Sequence, residues 1–218
     1  MVIVSLNEID ASARRAARGA GMDWGLAEEA GKAVRWLAAH GLPSVTILAG
    51  LLEARQGRPL DAMKPLRLTG SWQAAEGPLC PIIAGAALSD LAGEIIRGRT
   101  IVLGPASAPL LLVAFLGPVA AAQGANFTVT WDGAEIFISP QGPIADAEPR
   151  GLEAAMVPRV AIAAAPRTGR AAVPAKLAGV AVDEAIWQRL QYWAAKTYVP
   201  ASEQSRILGA GAGLSDND

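Results

Sequence analysis

The sequence predicts an α+β protein, because its hydrophobic pattern changes period along the chain. In the first quarter, apolar residues recur every three to four positions, as on one face of a helix. Beyond that quarter, short apolar segments are divided by Gly and Pro, which is typical of strands and turns. We therefore expect one domain with an N-terminal helical lobe (1–57), a central sheet-rich body (58–170), and a C-terminal helix with a packed Gly-rich tail (171–218).

Three helices are expected in the N-terminal lobe. Ser5-Leu6-Asn7-Glu8 has the spacing of a capping box, so the first helix should begin there. A second helix is predicted over Leu26–His40, with Asp23 nearby as a cap. A third is predicted from Ser44 to about Arg55.

The strongest local prediction in the sheet-rich body is a hairpin. Two apolar segments, Phe127–Trp131 and Ala134–Ile138, flank Asp132-Gly133, a pair that tolerates the positive φ angles of a tight turn. Further strands and one short helix follow from other apolar runs. The strands are Thr100–Leu103, Leu110–Leu116 and Val157–Ala163, and the helix is Gly85–Ala92.

The stretch Thr100–Trp131 carries no charge and is longer than the roughly 20 apolar residues that cross a bilayer. Several prolines and glycines interrupt it, so buried strands joined by turns are the better interpretation. The first apolar run of the chain is too short for a signal peptide. We expect no membrane partner.

Charge and cysteine content exclude several other classes of protein. Lys and Arg number 19 against 20 Asp and Glu, giving a net charge of −1, and the basic residues are scattered. No basic patch for nucleic acid is visible. Cys80 is the only cysteine, so an intramolecular disulfide is impossible, and a cytoplasmic location is expected.

Few residues offer familiar catalytic chemistry. His40 is the only histidine, which excludes a two-histidine metal site. At a predicted helix end it interacts favourably with the helix dipole, and a catalytic role requires a partner elsewhere in the fold. Cys80 lies between prolines and apolar residues, which favours a buried, unreactive thiol. No glycine-rich nucleotide loop occurs in a strand-to-helix context, which disfavours dinucleotide binding. The identity of any cofactor stays open, and no metal ligand is assigned.

The remaining polar residues concentrate after the last predicted helix, which begins at Asp183 and ends near Lys196. An arginine there binds a carboxylate through two hydrogen bonds, and a glutamate acts as a base or holds an amine. The candidate catalytic residues are Glu203, Ser205 and Arg206, and the candidate ligand-binding residues are Ser202, Asp216 and Asp218. The alternative is a short capped helix followed by a solvated acidic end.

A second candidate patch lies on the second predicted helix. Glu29 and Arg35 are further candidate ligand-binding residues, because each shares a helix face with Lys32, close to Trp36. Gly31 would let another group approach the helix backbone. The alternative is an ion-paired solvent face with a glycine that serves packing.

Two quoted stretches resemble a known family. WGLAEEAGKAVRWLAAHGLPS (Trp24–Ser44) and TYVPASEQSRILGAGAGLSDND (Thr197–Asp218) are similar to the two ends of a bacterial family that is a domain of unknown function. The resemblance runs over the full chain. It implies a stand-alone bacterial protein, and it brings no activity, cofactor or catalytic residue.

Three functional hypotheses follow. The first is a small-molecule enzyme or binding protein of bacterial organic-acid or amino-compound metabolism, with a polar site near the C-terminal tail. The second is a non-enzymatic, homo-oligomeric or accessory subunit whose tail docks on a neighbouring subunit. The third is a metal-dependent hydrolase or lyase with an all-oxygen site. We expect a homo-oligomer and a small-molecule ligand.

Overall fold

A computed structural model describes residues 1–166, 172–175 and 178–197, and in these ranges the predicted α+β class is confirmed. The helices are α1 (Leu6–Gly19), α2 (Trp24–Ala39), α3 (Val45–Ala54), α4 (Pro81–Asp90), α5 (Ala92–Ile96), α6 (Leu110–Gln123), α7 (Pro149–Leu152) and α8 (Glu184–Ala195), with a 3₁₀ turn at Leu60–Met63. The strands are β1 (Val2–Val4), β2 (Ser71–Trp72), β3 (Ile101–Leu103), β4 (Ala106–Ser107), β5 (Phe127–Trp131), β6 (Ala134–Ser139), β7 (Gly142–Ala147), β8 (Met156–Val157), β9 (Val160–Ala164) and β10 (Val180–Val182).

The predicted helix starts of the N-terminal lobe are confirmed by their caps. The Ser5 hydroxyl accepts from the Glu8 N–H at 3.2 Å, and a carboxylate oxygen of Asp23 accepts from the Leu26 N–H at 2.8 Å. Each bond satisfies an amide that the first helical turn would otherwise leave unpaired. The lobe also contains β1, which no pattern predicted and which pairs antiparallel with β10 near the other end of the chain.

The central sheet has six strands in the order β2-β3-β9-β5-β6-β7. Only the β2–β3 pair is parallel, and the other neighbours are antiparallel. The predicted β5–β6 hairpin is confirmed, with Phe127 opposite Ile138 and Trp131 opposite Ala134. Gly133 in its turn has a φ of +85°, which a glycine adopts without strain.

The predicted strand Leu110–Leu116 was wrong, because these residues begin helix α6. A continuous apolar run has no period, so the sequence does not separate a buried strand from a buried helix. Helix α6 lies between the sheet and helices α2 and α4, which explains why it is apolar on every side. Pro118 lies inside it and is exposed.

Close helix packing around α6 depends on glycine. A methyl group at Gly85 in α4 would lie 2.6 Å from Cγ of Phe115 in α6, a distance that the two helices do not accommodate. Since Phe115 is 5% exposed, its ring is buried in this contact.

The short helix predicted at Gly85–Ala92 is present, although it is divided into two helices, α4 and α5. Pro81 occupies the first turn of α4.

The predicted strand Val157–Ala163 is divided in two. Proline 158 has no N–H to donate to a ladder, and it separates β8, which pairs with β4, from β9 in the centre of the sheet. The C-terminal helix is confirmed as α8, capped by Asp183, and it packs on α1 and α3. The Gly-rich tail lies outside the described residues, so its packing stays a prediction.

No helix within the described ranges combines the length and the hydropathy that crossing a membrane requires. Helix α6 contains no charged residue and has 14 residues. Spanning a bilayer takes roughly 20 residues.

Candidate functional site

The structure tests only part of the predicted site. Six of the candidate residues, Ser202, Glu203, Ser205, Arg206, Asp216 and Asp218, lie outside the described residues, so a site in the tail stays a prediction. The other two lie on helix α2, where Arg35 is exposed and Glu29 is half-buried.

Helix α2 packs closely on α1 at Gly31. A methyl group at this position would lie 2.7 Å from a carboxylate oxygen of Asp10 and 3.0 Å from the Asp10 carbonyl oxygen. The group that approaches the backbone of Gly31 is thus the neighbouring helix. Gly31 is a packing glycine, as the alternative interpretation held.

The polar face of α2 carries an ion pair and a cation. Lys32 Nζ lies 2.7 Å from a carboxylate oxygen of Glu29. This hydrogen bond raises the pKa of Lys32, because it stabilises the ammonium form. The Lys32 side chain is 64% exposed, so the pair adds less than about 1 kcal/mol to stability. Arg35, one turn further on, has no ion-pair partner among the residues that the structure describes.

A cavity of about 560 Å³ opens beside this face; we call it the His40 groove. It lies between α1, the second half of α2, the middle of α6 and the turn between β6 and β7. The residues that line it are Leu6, Asp10, Lys32, Arg35, Trp36, Ala39, His40, Gly117, Pro118, Ala121, Ser139, Pro140, Gln141, Gly142 and Ala175. The groove therefore combines an apolar wall with a few polar groups, as small-molecule sites do.

His40 lies at the C-terminal end of α2 and is 8% exposed. Its Nδ1 is 2.9 Å from the Trp36 carbonyl oxygen, which only accepts hydrogen bonds, so Nδ1 carries the hydrogen. In the neutral ring Nε2 is then the bare nitrogen. Nε2 makes no hydrogen bond within the described ranges, and it is not sealed from solvent. The free nitrogen is thus open to the groove.

Trp36 fixes the other side of the imidazole. The two ring centroids are 4.2 Å apart and the planes are tilted by 40°. The indole in turn lies across α6 at Gly117, where a methyl group would be 2.8 Å from the indole Nε1. A larger residue at 117 would therefore displace the ring that supports His40.

The β6–β7 turn closes the groove over His40. The Ser139 hydroxyl donates to the Gly142 carbonyl at 3.0 Å and accepts from the Gln141 N–H at 3.2 Å, so the turn is internally bonded. Gly142 has a φ of +130°, and a methyl group there would lie 3.1 Å from His40 Nε2. Glycine is thus required both by the backbone and by the contact.

The charged residues that line the groove favour an anion. Lys32 and Arg35 each carry a positive charge and Asp10 carries a negative one, so these three charges sum to +1. Glu29, which is not part of the lining, pairs with Lys32, so Arg35 is the lining cation that is left for a ligand. A carboxylate in the groove therefore meets Arg35 as its main positive charge.

Sequence patterns pointed to α2 but did not predict that His40 lines a groove. Its expected position at the helix end is confirmed. The contacts that place it in a groove come from Gly117, Ser139 and Gly142, which are far away in the chain. Pro140-Gln141-Gly142 has turn composition, but nothing in the sequence shows that this turn lies over α2.

Two further groups, Cys80 and Arg55, are buried and do not line the His40 groove. Cys80 is fully buried, as expected, and burial raises the pKa of its thiol because it disfavours the thiolate. Arg55 is also buried and donates from Nη1 to the Ala20 carbonyl at 2.7 Å. Residues 1–166, 172–175 and 178–197 contain no group of three or more His, Cys, Asp or Glu side chains able to hold a metal ion.

Comparison with known families supports the resemblance noted above. Residues 4–78, which cover α1 to α3 and β2, match the family described as "Protein of unknown function (DUF3726)". The resemblance of Trp24–Ser44 to a domain of unknown function is thus confirmed, whereas the C-terminal stretch lies outside the match. The match includes His40 and Arg35, and it assigns no activity. No curated protein matches the chain.

Two malate dehydrogenases are among the solved structures similar to this one. The enzyme from Entamoeba histolytica has a TM-score of 0.49 and 13% identity, and the likeness covers 69% of this chain and 51% of that one. The enzyme from Pyrococcus horikoshii OT3 has a TM-score of 0.44 and 10% identity, covering 66% and 49%. This chain thus matches about half of the length of either enzyme. Likenesses this distant carry no argument about activity.

Proposed function

We propose that this protein binds a small organic anion, a carboxylate, in the His40 groove. Arg35 and Lys32 supply positive charge at the rim, and the imidazole of His40 supplies a hydrogen-bonding group at the floor. The proposal keeps the organic-acid class expected from the sequence, and it moves the site from the C-terminal tail to helix α2.

The observation that carries the proposal is the orientation of His40. Because Nδ1 donates to the Trp36 carbonyl, the free nitrogen points away from its own helix. Because Nε2 makes no hydrogen bond within the described ranges and His40 lines the groove, this nitrogen is available to bond a ligand that enters it. As imidazolium, Nε2 would donate to a carboxylate oxygen; as neutral imidazole it would accept from a hydroxyl group of the ligand.

The size and lining of the groove fit the same class of ligand. About 560 Å³ lies within the range of small-molecule sites, and Trp36, Leu6 and Ala121 provide apolar surface for a short carbon skeleton. Histidine is the most frequent general acid or base in enzymes, so the groove also holds one side chain of that class. An acid–base reaction on the ligand is therefore chemically accessible.

The test is isothermal titration with acetate, succinate and citrate, and with uncharged succinamide as a control of similar shape. At least one carboxylate should bind, and succinamide should not. Arg35→Gln should weaken binding about three- to tenfold, because one partly exposed charge contact contributes on the order of 1 kcal/mol. His40→Gln should weaken it as well.

Arg67→Gln is the matched control, because Arg67 is exposed and does not line the groove. It removes the same charge as Arg35→Gln, and its binding constant should equal that of the wild type. Equal losses in the two variants would show that only the net charge matters. That result, or succinamide binding as well as the acids, would overturn the proposal.

A further inference from the structure

A second cavity of about 570 Å³ adjoins the His40 groove and has the opposite charge; we call it the Asp90 cavity. It lies between the first half of α2, the junction of α4 with α5, and the end of α6. Lys32 and Pro118 border both spaces. The two cavities thus follow one another along α2, with Lys32 at the boundary.

Two carboxylates and one ammonium face the Asp90 cavity. Glu29 is already bonded to Lys32, whereas Asp90 is exposed and has no ion-pair partner in the part of the chain that the structure describes. The charged lining residues therefore sum to −1. A cation is the ligand that this excess attracts.

The position of Asp90 within its helix points the same way. It is the last residue of α4, where the helix dipole disfavours a negative charge. A positive group in the cavity would offset this unfavourable interaction, although the N-terminus of α5, which follows at Ala92, already offsets part of it.

Helix α6 adds to the negative potential. It ends at Gln123 beside the cavity and is capped by Gly124 in the left-handed conformation. The last turn of a helix presents carbonyl oxygens with partial negative charge. Helix α5 begins at the same edge, but its opposing dipole comes from only five residues.

Part of the lining is apolar. Pro118, Val119 and Ala122 of α6 give it exposed or partly exposed apolar surface. This surface is suited to a short alkyl chain, which gains free energy on leaving water. The combination of an apolar wall with an unneutralised carboxylate is not suited to a bare metal ion, which requires several oxygen ligands.

We infer that the Asp90 cavity is a binding site for a small organic cation, an alkylammonium group. Its ammonium lies against the Asp90 carboxylate and its alkyl chain lies along Val119 and Ala122. Lys32 competes with the ligand for Glu29. Its Nζ already donates to the Glu29 carboxylate, which could otherwise accept a hydrogen bond from the ammonium group of the ligand. This site goes beyond the proposed anion site and depends on different residues, apart from Lys32.

The experiment is an NMR titration of the ¹⁵N-labelled full chain with n-butylammonium, with n-butanol as the uncharged control. The amide signals of Asp90, Gly93 and Gln123 should shift and saturate with n-butylammonium, and n-butanol should shift them much less. Asp90→Asn should weaken binding about three- to fivefold. Spectra of each variant show directly that it is folded.

Asp132→Asn is the matched control, because Asp132 is exposed in the β5–β6 turn, does not line the cavity, and Asn-Gly suits that turn equally well. Its affinity for n-butylammonium should equal that of the wild type. Lys32→Gln should tighten n-butylammonium binding and weaken carboxylate binding. Equal shifts with n-butanol, or equal losses in the two aspartate variants, would overturn the inference.

The two proposals fail separately. If n-butylammonium binds as described and no carboxylate binds, the anion site is wrong and the cation site stands. If the carboxylate binds and n-butylammonium produces no saturable shift, the cation site is wrong.

Discussion

Gly142 lies against the imidazole of His40, although the two residues belong to distant parts of the chain. A methyl group at position 142 would lie 3.0 Å from Cδ2 and 3.1 Å from Nε2 of His40, and 2.5 Å from the Val173 carbonyl oxygen. The short distance to the Val173 carbonyl excludes a side chain at residue 142, and the distances to His40 leave little room for one. Gly142 thus helps to position the imidazole that lines the groove.

Gly142→Ala should destabilise the protein by about 2–4 kcal/mol, measured by urea unfolding. The substitution adds a steric conflict to a φ of +130°, which a side chain rarely adopts. Gly98→Ala separates the two effects, because Gly98 has a φ of +101° and nothing within 4 Å of the added methyl group. It should cost only about 1–2 kcal/mol. Equal losses in the two variants would contradict the close packing of Gly142 against Val173 and His40.

Gly117→Ala should destabilise the protein by about 1–3 kcal/mol, because the methyl group would overlap the indole of Trp36. Gly50→Ala is the matched control. It lies in helix α3 with nothing within 4 Å, so alanine should stabilise the helix by about 0.5–1 kcal/mol. Unfolding by urea gives both values. If Gly117→Ala were neutral or stabilising, Trp36 would not lie on α6 as described.

The ion pair between Glu53 on α3 and Arg189 on α8 should make stability depend on acid pH. Arg189 Nε donates to a Glu53 oxygen at 2.8 Å, and this hydrogen bond lowers the pKa of Glu53 from its ordinary value of 4.5. A lowered folded-state pKa stabilises the protein above pH 4.5, and the contribution is lost as the pH falls through the folded-state value.

Arg189→Gln should therefore destabilise the protein near neutral pH and have little effect at about pH 3. The two side chains are 45% and 42% exposed, so solvent screening limits the loss to about 0.5 kcal/mol. Arg67→Gln removes an exposed arginine that has no ion-pair partner among the described residues, so it should show no such pH dependence. A loss for Arg189→Gln that persists unchanged at low pH would contradict the role of the pair.

Local signals in the sequence predicted much of the fold. The caps at Ser5, Asp23 and Asp183 marked three helix starts, and Asp132-Gly133 marked the β5–β6 hairpin. Each signal acts over a few residues, where backbone hydrogen bonds and the preferred φ angles of glycine decide the conformation. Such features do not depend on the rest of the chain.

The helical conformation of α6 could not be predicted from local sequence patterns. Its apolar run has no polar face, because the sheet covers one side while α2 and α4 cover the others. Its conformation is thus set by tertiary packing, which the spacing of apolar residues does not reveal. The pairing of β1 with β10 and of β3 with β9 could not be predicted either, because the two strands of each pair lie far apart in the chain.

The candidate site was predicted in part. Glu29 and Arg35 proved to border two cavities, and Arg35 faces the groove that we propose binds an anion. His40 was expected at a helix end without a partner, because its neighbours at 117, 139 and 142 come together only in the fold. The tail residues were singled out by their chemistry, and that prediction stays open.

The most direct test of the anion site uses the fact that His40 is the only histidine in the chain. The Cε1–H signal of a histidine-labelled sample reports on this imidazole alone while acetate, succinate, citrate or succinamide is added. If the groove binds an anion, at least one carboxylate should shift this signal until it saturates, and the shift should be weaker in Arg35→Gln. Succinamide should cause no saturable shift of the signal. A signal that no carboxylate moves, or that succinamide moves equally, would contradict the anion site.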